Sequence, residues 1–280
     1  MRSFAISSAL FAAAFAAGGT DYTQNGANWG ETYPLCANGA EQSPIDLSVS
    51  EATSNATMEV NGYGYANSGD VDRAKLGDSV YVGYTGGEFV KKFADGSKSV
   101  FTPLQYHFHA PSEHTFNGKN YDLEVHFVHK YAGTASKLGA VIGVAFDRQV
   151  GGNFENGFIQ ELIDNAEATS SSKRSSINTA SFLESIDMEE YWEYPGSLTT
   201  PPCSEGIKWT VIKQVQPISD EQLKFFTKIW ADKNDFANGK GNNRVTMPLN
   251  SRTLYYSGAT TGLAASLASV AVALSALAFA

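Results

Sequence analysis

Histidine is scarce in this chain: there are five in 280 residues, and none lies outside the stretch from His107 to His129. Any imidazole chemistry is therefore confined to one short region. Basic residues are also in deficit, 20 Lys and Arg against 29 Asp and Glu, for a net charge of −9. Nucleic-acid binding demands a basic face, so that class of partner is excluded. The same balance suits a solvated, exported domain. Only two cysteines occur, Cys36 and Cys203, which allows at most one intramolecular bridge. No linker, internal repeat or heptad run divides the chain, so residues 20–256 read as one domain long enough to bury a large core.

Acidic residues are missing from the start of the chain, and all charge is missing from its end. No acidic residue precedes Asp21. Arg2, the apolar run from Phe4 to Ala16 and the Ala14-Phe15-Ala16 site read as a secretory signal over residues 1–19. Cleavage among Ala17, Gly18 and Gly19 fits equally well. No charged residue follows Arg252. Residues 257–280 open on the small residues Ser257, Gly258 and Ala259, and end in an apolar tail that begins at Leu263. A membrane-spanning helix is normally followed by Lys or Arg. Small residues, a polar spacer and a terminal apolar tail are the pattern of a GPI-anchor signal. The spacer, Thr260-Thr261-Gly262, is short, which keeps a membrane tail as the alternative. The expectation is a glycoprotein of the secretory pathway, extracellular or held at the cell surface by a C-terminal lipid anchor. An even cysteine count on that route suggests one disulfide. Asn55-Ala56-Thr57 is a candidate glycosylation site.

Short alternating apolar segments separated by glycine-rich turns predict a sheet-dominated fold, as in Ser79-Val80-Tyr81-Val82-Gly83-Tyr84 and Ala140 to Phe146. Two helices stand out. One spans Asn153 to Glu167, with Phe154, Phe158, Ile159 and Leu162 on one side. The other opens at Ser219 with a Ser-x-x-Gln capping box to Gln222, followed by Leu223, Phe226 and Trp230 at helical spacing. Ser170 to Ser176 reads as an exposed loop.

Side chains two apart on a strand share a face, so His107 and His109 would lie on one side, roughly 7 Å apart along it. A neighbouring strand carrying His126 would bring a third imidazole against them. Three neutral imidazoles with an open fourth position are what a catalytic zinc needs. Glu124 shares the face of His126 and would be placed to accept the spare ring N–H of a ligating histidine. By itself a His-x-His pair is commoner as plain strand, so the rest of the chain decides.

The runs Gln105-Tyr106-His107-Phe108-His109, Ser112-Glu113-His114-Thr115 and Glu124-Val125-His126-Phe127-Val128-His129 resemble the alpha-class carbonic anhydrases. So do Tyr191-Trp192-Glu193-Tyr194-Pro195-Gly196-Ser197-Leu198-Thr199-Thr200-Pro201-Pro202, Gln42-Ser43-Pro44-Ile45-Asp46 and Asn243-Arg244. The resemblance runs from about Tyr22 to Arg252 and implies an exported member of that family. It implies a β-dominated α+β fold: a single domain with a large twisted, mostly antiparallel central sheet and peripheral helices. The implied reaction is reversible hydration of carbon dioxide to bicarbonate and a proton by hydroxide generated at zinc. A non-catalytic cell-surface binding domain on the same fold, or a zinc esterase, is the alternative.

Residue by residue, the resemblance makes His107, His109 and His126 the zinc ligands. Gln105 would hold His107, Glu124 would hold His126, and the backbone of Asn243 would hold His109. Thr199 would donate to Glu113 and orient the nucleophile. Val128, Val141, Leu198, Ile207 and Trp209 would form an apolar wall for carbon dioxide, and Thr200 would contact bicarbonate. Cys36 and Cys203 would pair, a closure worth on the order of 4–5 kcal/mol in the chain-entropy model. His114 and His129 would be structural. That leaves no histidine to carry the product proton out, and Asp78 occupies the matching position. An aspartate with an ordinary pKa near 3.9 is a poor acceptor for that task.

Overall fold

The computed structural model describes residues 21–54, 59–61, 71–72, 79–83, 87–168 and 177–258. The expected leader, Asn55, Asp78, the expected loop at 170–176 and the residues from 259 onward lie outside them. The strands, in chain order, are β1 (Asp46–Leu47), β2 (Thr53–Ser54), β3 (Glu59–Asn61), β4 (Val71–Asp72), β5 (Tyr81–Gly83), β6 (Phe89–Lys92) and β7 (Lys98–His109). They continue with β8 (Thr115–Phe116), β9 (Lys119–Asn120), β10 (Leu123–Tyr131), β11 (Leu138–Asp147), β12 (Tyr191–Ser197), β13 (Glu205–Pro217) and β14 (Tyr255–Ser257). The helices are α1 (Pro34–Asn38), α2 (Gly157–Glu167), α3 (Thr179–Ser185), α4 (Asp220–Thr227) and α5 (Asn234–Ala237). None of these is long and apolar enough to cross a membrane.

The main sheet runs β2-β14-β12-β13-β11-β10-β7-β5-β4. Its pairings are antiparallel except β11 with β13 and β14 with β2. Alternation assigns the two faces of the central strands. Leu123, Val125 and Phe127 of β10 and Tyr106 and Phe108 of β7 join the main core beneath α2, α3 and α4. There Phe158 of α2 stacks on Phe182 of α3, with ring centroids 4.3 Å apart. The opposite face carries His107, His109, Glu124 and His126 beside a second core of Val128, Val141, Ala145, Trp209 and Val211. The helices thus close one side of the sheet and leave the imidazoles on the other.

Both expected helices form, with shifted ends. α2 begins at Gly157, because Asn156 caps it, its Oδ1 accepting from Phe158 N at 3.1 Å and Ile159 N at 3.3 Å. Asn153 has left-handed φ (63°) and Phe154 is 65% exposed, so the segment before Asn156 is a turn. The capping box of α4 is present, Ser219 Oγ accepting from Gln222 N at 3.2 Å. That helix ends at Thr227, and Trp230 reaches the core from the following turn.

Cys36 and Cys203 form a disulfide with Cα atoms 5.1 Å apart. Arg244 reinforces the same junction: its guanidinium donates to Ser43 O at 2.7 Å, Cys36 O at 2.6 Å and Gln42 Oε1 at 3.0 Å. A buried ion pair ties β6 to β12. Lys91 Nζ lies 3.0 Å from Glu193 Oε2, bonds Thr210 Oγ1 and sits over the Tyr191 ring. Burial pulls the Lys91 pKa down to about 8, against the pull of Glu193.

Removing one member of a buried pair strands the other charge. Lys91→Met is therefore expected to cost about 3–5 kcal/mol in denaturant unfolding, while the double variant Lys91→Met/Glu193→Leu recovers most of it. A single variant as stable as the parent would contradict this.

Candidate metal centre

The site is assembled by one strand pairing. In the antiparallel register of β7 with β10, His107 faces His126 and His109 faces Glu124. His107, His109 and His126 are all buried and offer ring nitrogens within 4.8 Å of one another. Each ring is held through one nitrogen. His107 Nδ1 lies 3.0 Å from Gln105 Oε1, His109 Nδ1 lies 2.8 Å from Asn242 O, and His126 Nε2 lies 2.9 Å from Glu124 Oε1. All three partners accept hydrogen bonds, so in the neutral rings those nitrogens carry the proton. The opposite nitrogens keep their lone pairs. His109 Nε2 is buried with no hydrogen-bond partner, so its lone pair is available to a cation. Burial pulls the His109 pKa down to about 4 and lowers that of His126, which favours the neutral, coordinating form.

The expected holder of His109 was the backbone of Asn243; the structure places Asn242 there. The two residues are adjacent and their carbonyls point differently: Asn243 O accepts from Asn25 Nδ2 at 3.0 Å. Asn242 also donates from Nδ2 to Phe108 O at 3.0 Å and accepts at Oδ1 from Ala110 N at 3.0 Å, which fixes it beside β7. An asparagine doublet carries no sequence signal for which carbonyl turns inward.

Glu124 is the hub of the site. Its Oε2 accepts from Glu113 N at 2.8 Å and His114 N at 2.9 Å. Its Oε1 lies 2.7 Å from His114 Nδ1 as well as near His126. Burial opposes ionisation, yet His114 and His126 hold this carboxyl well below the usual carboxylate range. His114 is engaged at both nitrogens, since Nε2 lies 2.7 Å from the Tyr194 hydroxyl. In the sequence Tyr194 is one residue of a motif, and its bond to His114 is legible only in three dimensions. His129 is wholly buried against the Phe89 ring at 4.8 Å.

Glu113 is buried behind the imidazoles, with Oε1 accepting from Arg244 N at 2.8 Å and Oε2 3.8 Å from His126 Nδ1. Burial pushes its pKa up to about 7, while His126 and the Thr199 hydroxyl pull the other way. The Thr199 hydroxyl thus lies close enough to Glu113 to lower its pKa. The loop bearing Thr199 is pinned by Leu198 N on Ser204 O and Cys203 N on Thr200 O, each at 2.9 Å, and by the disulfide.

The apolar residues also converge. Val128 pairs with Val141, and Val141 with Trp209, across β10, β11 and β13. Ile207 belongs to the same cluster and Leu198 packs on it. Trp209 meets the His126 ring edge-on at 4.8 Å, which makes this wall continuous with the imidazoles. Thr200 is half-buried beside Thr199.

Comparison with known proteins agrees with this geometry. The family model described as eukaryotic-type carbonic anhydrase matches residues 24–258. A carbonic anhydrase of Klebsiella pneumoniae is 33% identical over 230 residues, 81% of this chain and 85% of its own length. Dioscorin DB3S of Dioscorea polystachya is 31% identical over 239 residues, 82% of each chain. The solved alpha-carbonic anhydrase of Thermovibrio ammonificans, in complex with the inhibitor sulfanilamide, superposes with a TM-score of 0.66. It is 32% identical, over 85% of this chain and all of that one. The strand-rich mixed sheet, the clustered imidazoles and these matches agree, and the chain belongs to the family of alpha-type carbonic anhydrases.

Proposed function

We propose that this chain is a zinc-dependent carbonic anhydrase that interconverts carbon dioxide and bicarbonate. The observation that carries the reading is the buried trio of imidazoles, with His109 Nε2 unpartnered, set against an apolar wall. His107, His109 and His126 would hold the ion through the nitrogens opposite Gln105, Asn242 and Glu124. Zinc held there supplies Lewis acidity that makes water nucleophilic near neutral pH, a property for which carbonic anhydrases are themselves the reference case.

The chain's own residues do the rest. When ionised, Glu113 only accepts hydrogen bonds, so the Thr199 hydroxyl would donate to it and turn its own lone pair toward the reacting oxygen. Val128, Val141, Leu198, Ile207 and Trp209 exclude water and receive an apolar substrate, and Thr200 contacts the bicarbonate. Proton export is the weak link. Three histidines form the cluster and the other two, His114 and His129, are fully buried. None is left to shuttle, so release depends on Asp78 or on buffer. The disulfide supports export through an oxidising compartment. Anchoring through the 257–280 segment belongs to the same proposal.

Two outcomes are expected. In stopped-flow assays of the segment from Thr20 to Ser257, zinc is expected at about one per chain and hydration is expected to rise strongly with imidazole. Full zinc with no hydration would favour a binding domain, and ester hydrolysis alone would favour an esterase. Turnover already maximal without buffer would sink the missing-shuttle claim. Gln105→Ala and Glu124→Gln are each expected to weaken zinc affinity roughly 10–100-fold in chelator competition. Unchanged affinity would remove these side chains from the site.

A further inference from the structure

Each of the three imidazoles has a hydrogen-bonded nitrogen, but their ring faces are covered differently. His109 and His126 are each 1% exposed and lie inside the sheet, where Trp209 backs His126. His107 is 6% exposed and stands nearest the solvent side. Its neighbours within the cluster meet it edge-on, His109 at 5.0 Å and 70° and His126 at 5.3 Å and 86°. Tyr81 lies directly across the β5–β7 pairing from His107. The two rings stack with centroids 5.2 Å apart and planes 27° apart.

A directly opposed pair on neighbouring antiparallel strands is the closest side-chain contact a sheet offers. Offset stacking is a preferred aromatic geometry. Gln105 Oε1 accepts from one ring nitrogen of His107 and fixes that edge of the ring. A flat ring stacked on its face further restricts the tilt of the imidazole. Tyr81 is half-buried, so its ring also screens the outer side of the cluster from water.

We propose that Tyr81 is a positioning residue for the metal: by stacking on His107 it locks the outermost ligand and slows loss of the ion. The inference rests on the zinc reading above, and it assigns to the aromatic ring, not the hydroxyl, control over metal retention.

The test uses the zinc-loaded segment from Thr20 to Ser257 with dipicolinate as the trap, and compares Tyr81→Ser with Tyr81→Phe. Zinc release is expected to quicken roughly tenfold in Tyr81→Ser, the low end of what outer partners of a ligand contribute. Tyr81→Phe is expected to release zinc at the parent rate. In the cobalt-substituted protein, the visible absorption of Tyr81→Ser is expected to shift while that of Tyr81→Phe stays in place. A purely structural role would lower thermal stability without moving that spectrum. Release from Tyr81→Ser at the parent rate would overturn the proposal, as would equal losses in both variants. If the parent retained no zinc, the zinc reading would fall first and this proposal with it. Parent zinc that is tightly held but indifferent to Tyr81 would refute the proposal alone.

Discussion

Everything at this site follows from the register of β7 against β10. Side chains alternate between the faces of a sheet, so a slip of one residue would turn His126 and Glu124 into the helix-covered core. The observed register sets His126 opposite His107 and Glu124 opposite His109. It is fixed from the other face, where Tyr106, Phe108, Val125 and Phe127 fill the main core. Burying those aromatic and aliphatic groups is favourable in one register only. Hydrophobic packing on one face therefore positions polar chemistry on the other.

Glu124 converts that placement into rigidity. Four donors converge on a wholly buried carboxylate: two backbone N–H groups and the rings of His114 and His126. A buried charge without such partners would be costly. With them, the carboxylate fixes the His126 tautomer and holds the segment bearing Glu113 close behind the cluster. Arg244 does comparable work from the far end of the chain. Its backbone N–H holds Glu113, and its guanidinium grips the segment containing Cys36, Gln42 and Ser43. The disulfide then ties that segment to the loop carrying Thr199. Residues far apart in sequence are thus coupled through a few short bonds.

The His-x-His alternation and the Glu-x-His spacing were legible because strand periodicity converts directly into shared faces. The α4 capping box was legible for a similar reason, since capping is local chemistry. What sequence leaves open depends on direction. Asn242 and Asn243 are identical side chains in adjacent places, and only the fold decides which carbonyl meets His109. The start of α2 is hidden in the sequence because Phe154 continues the apolar spacing, whereas Asn156 supplies the cap and Asn153 adopts left-handed backbone. Tyr81 looked like one residue of an alternating strand; only pairing across β5 and β7 sets its ring on His107.

The most direct test of the central claim is zinc K-edge X-ray absorption on the purified, zinc-loaded chain. The account predicts three imidazole nitrogens at about 2.0–2.1 Å, with that pattern lost in His109→Ala. A first shell built from carboxylates, or one unchanged in His109→Ala, would contradict it.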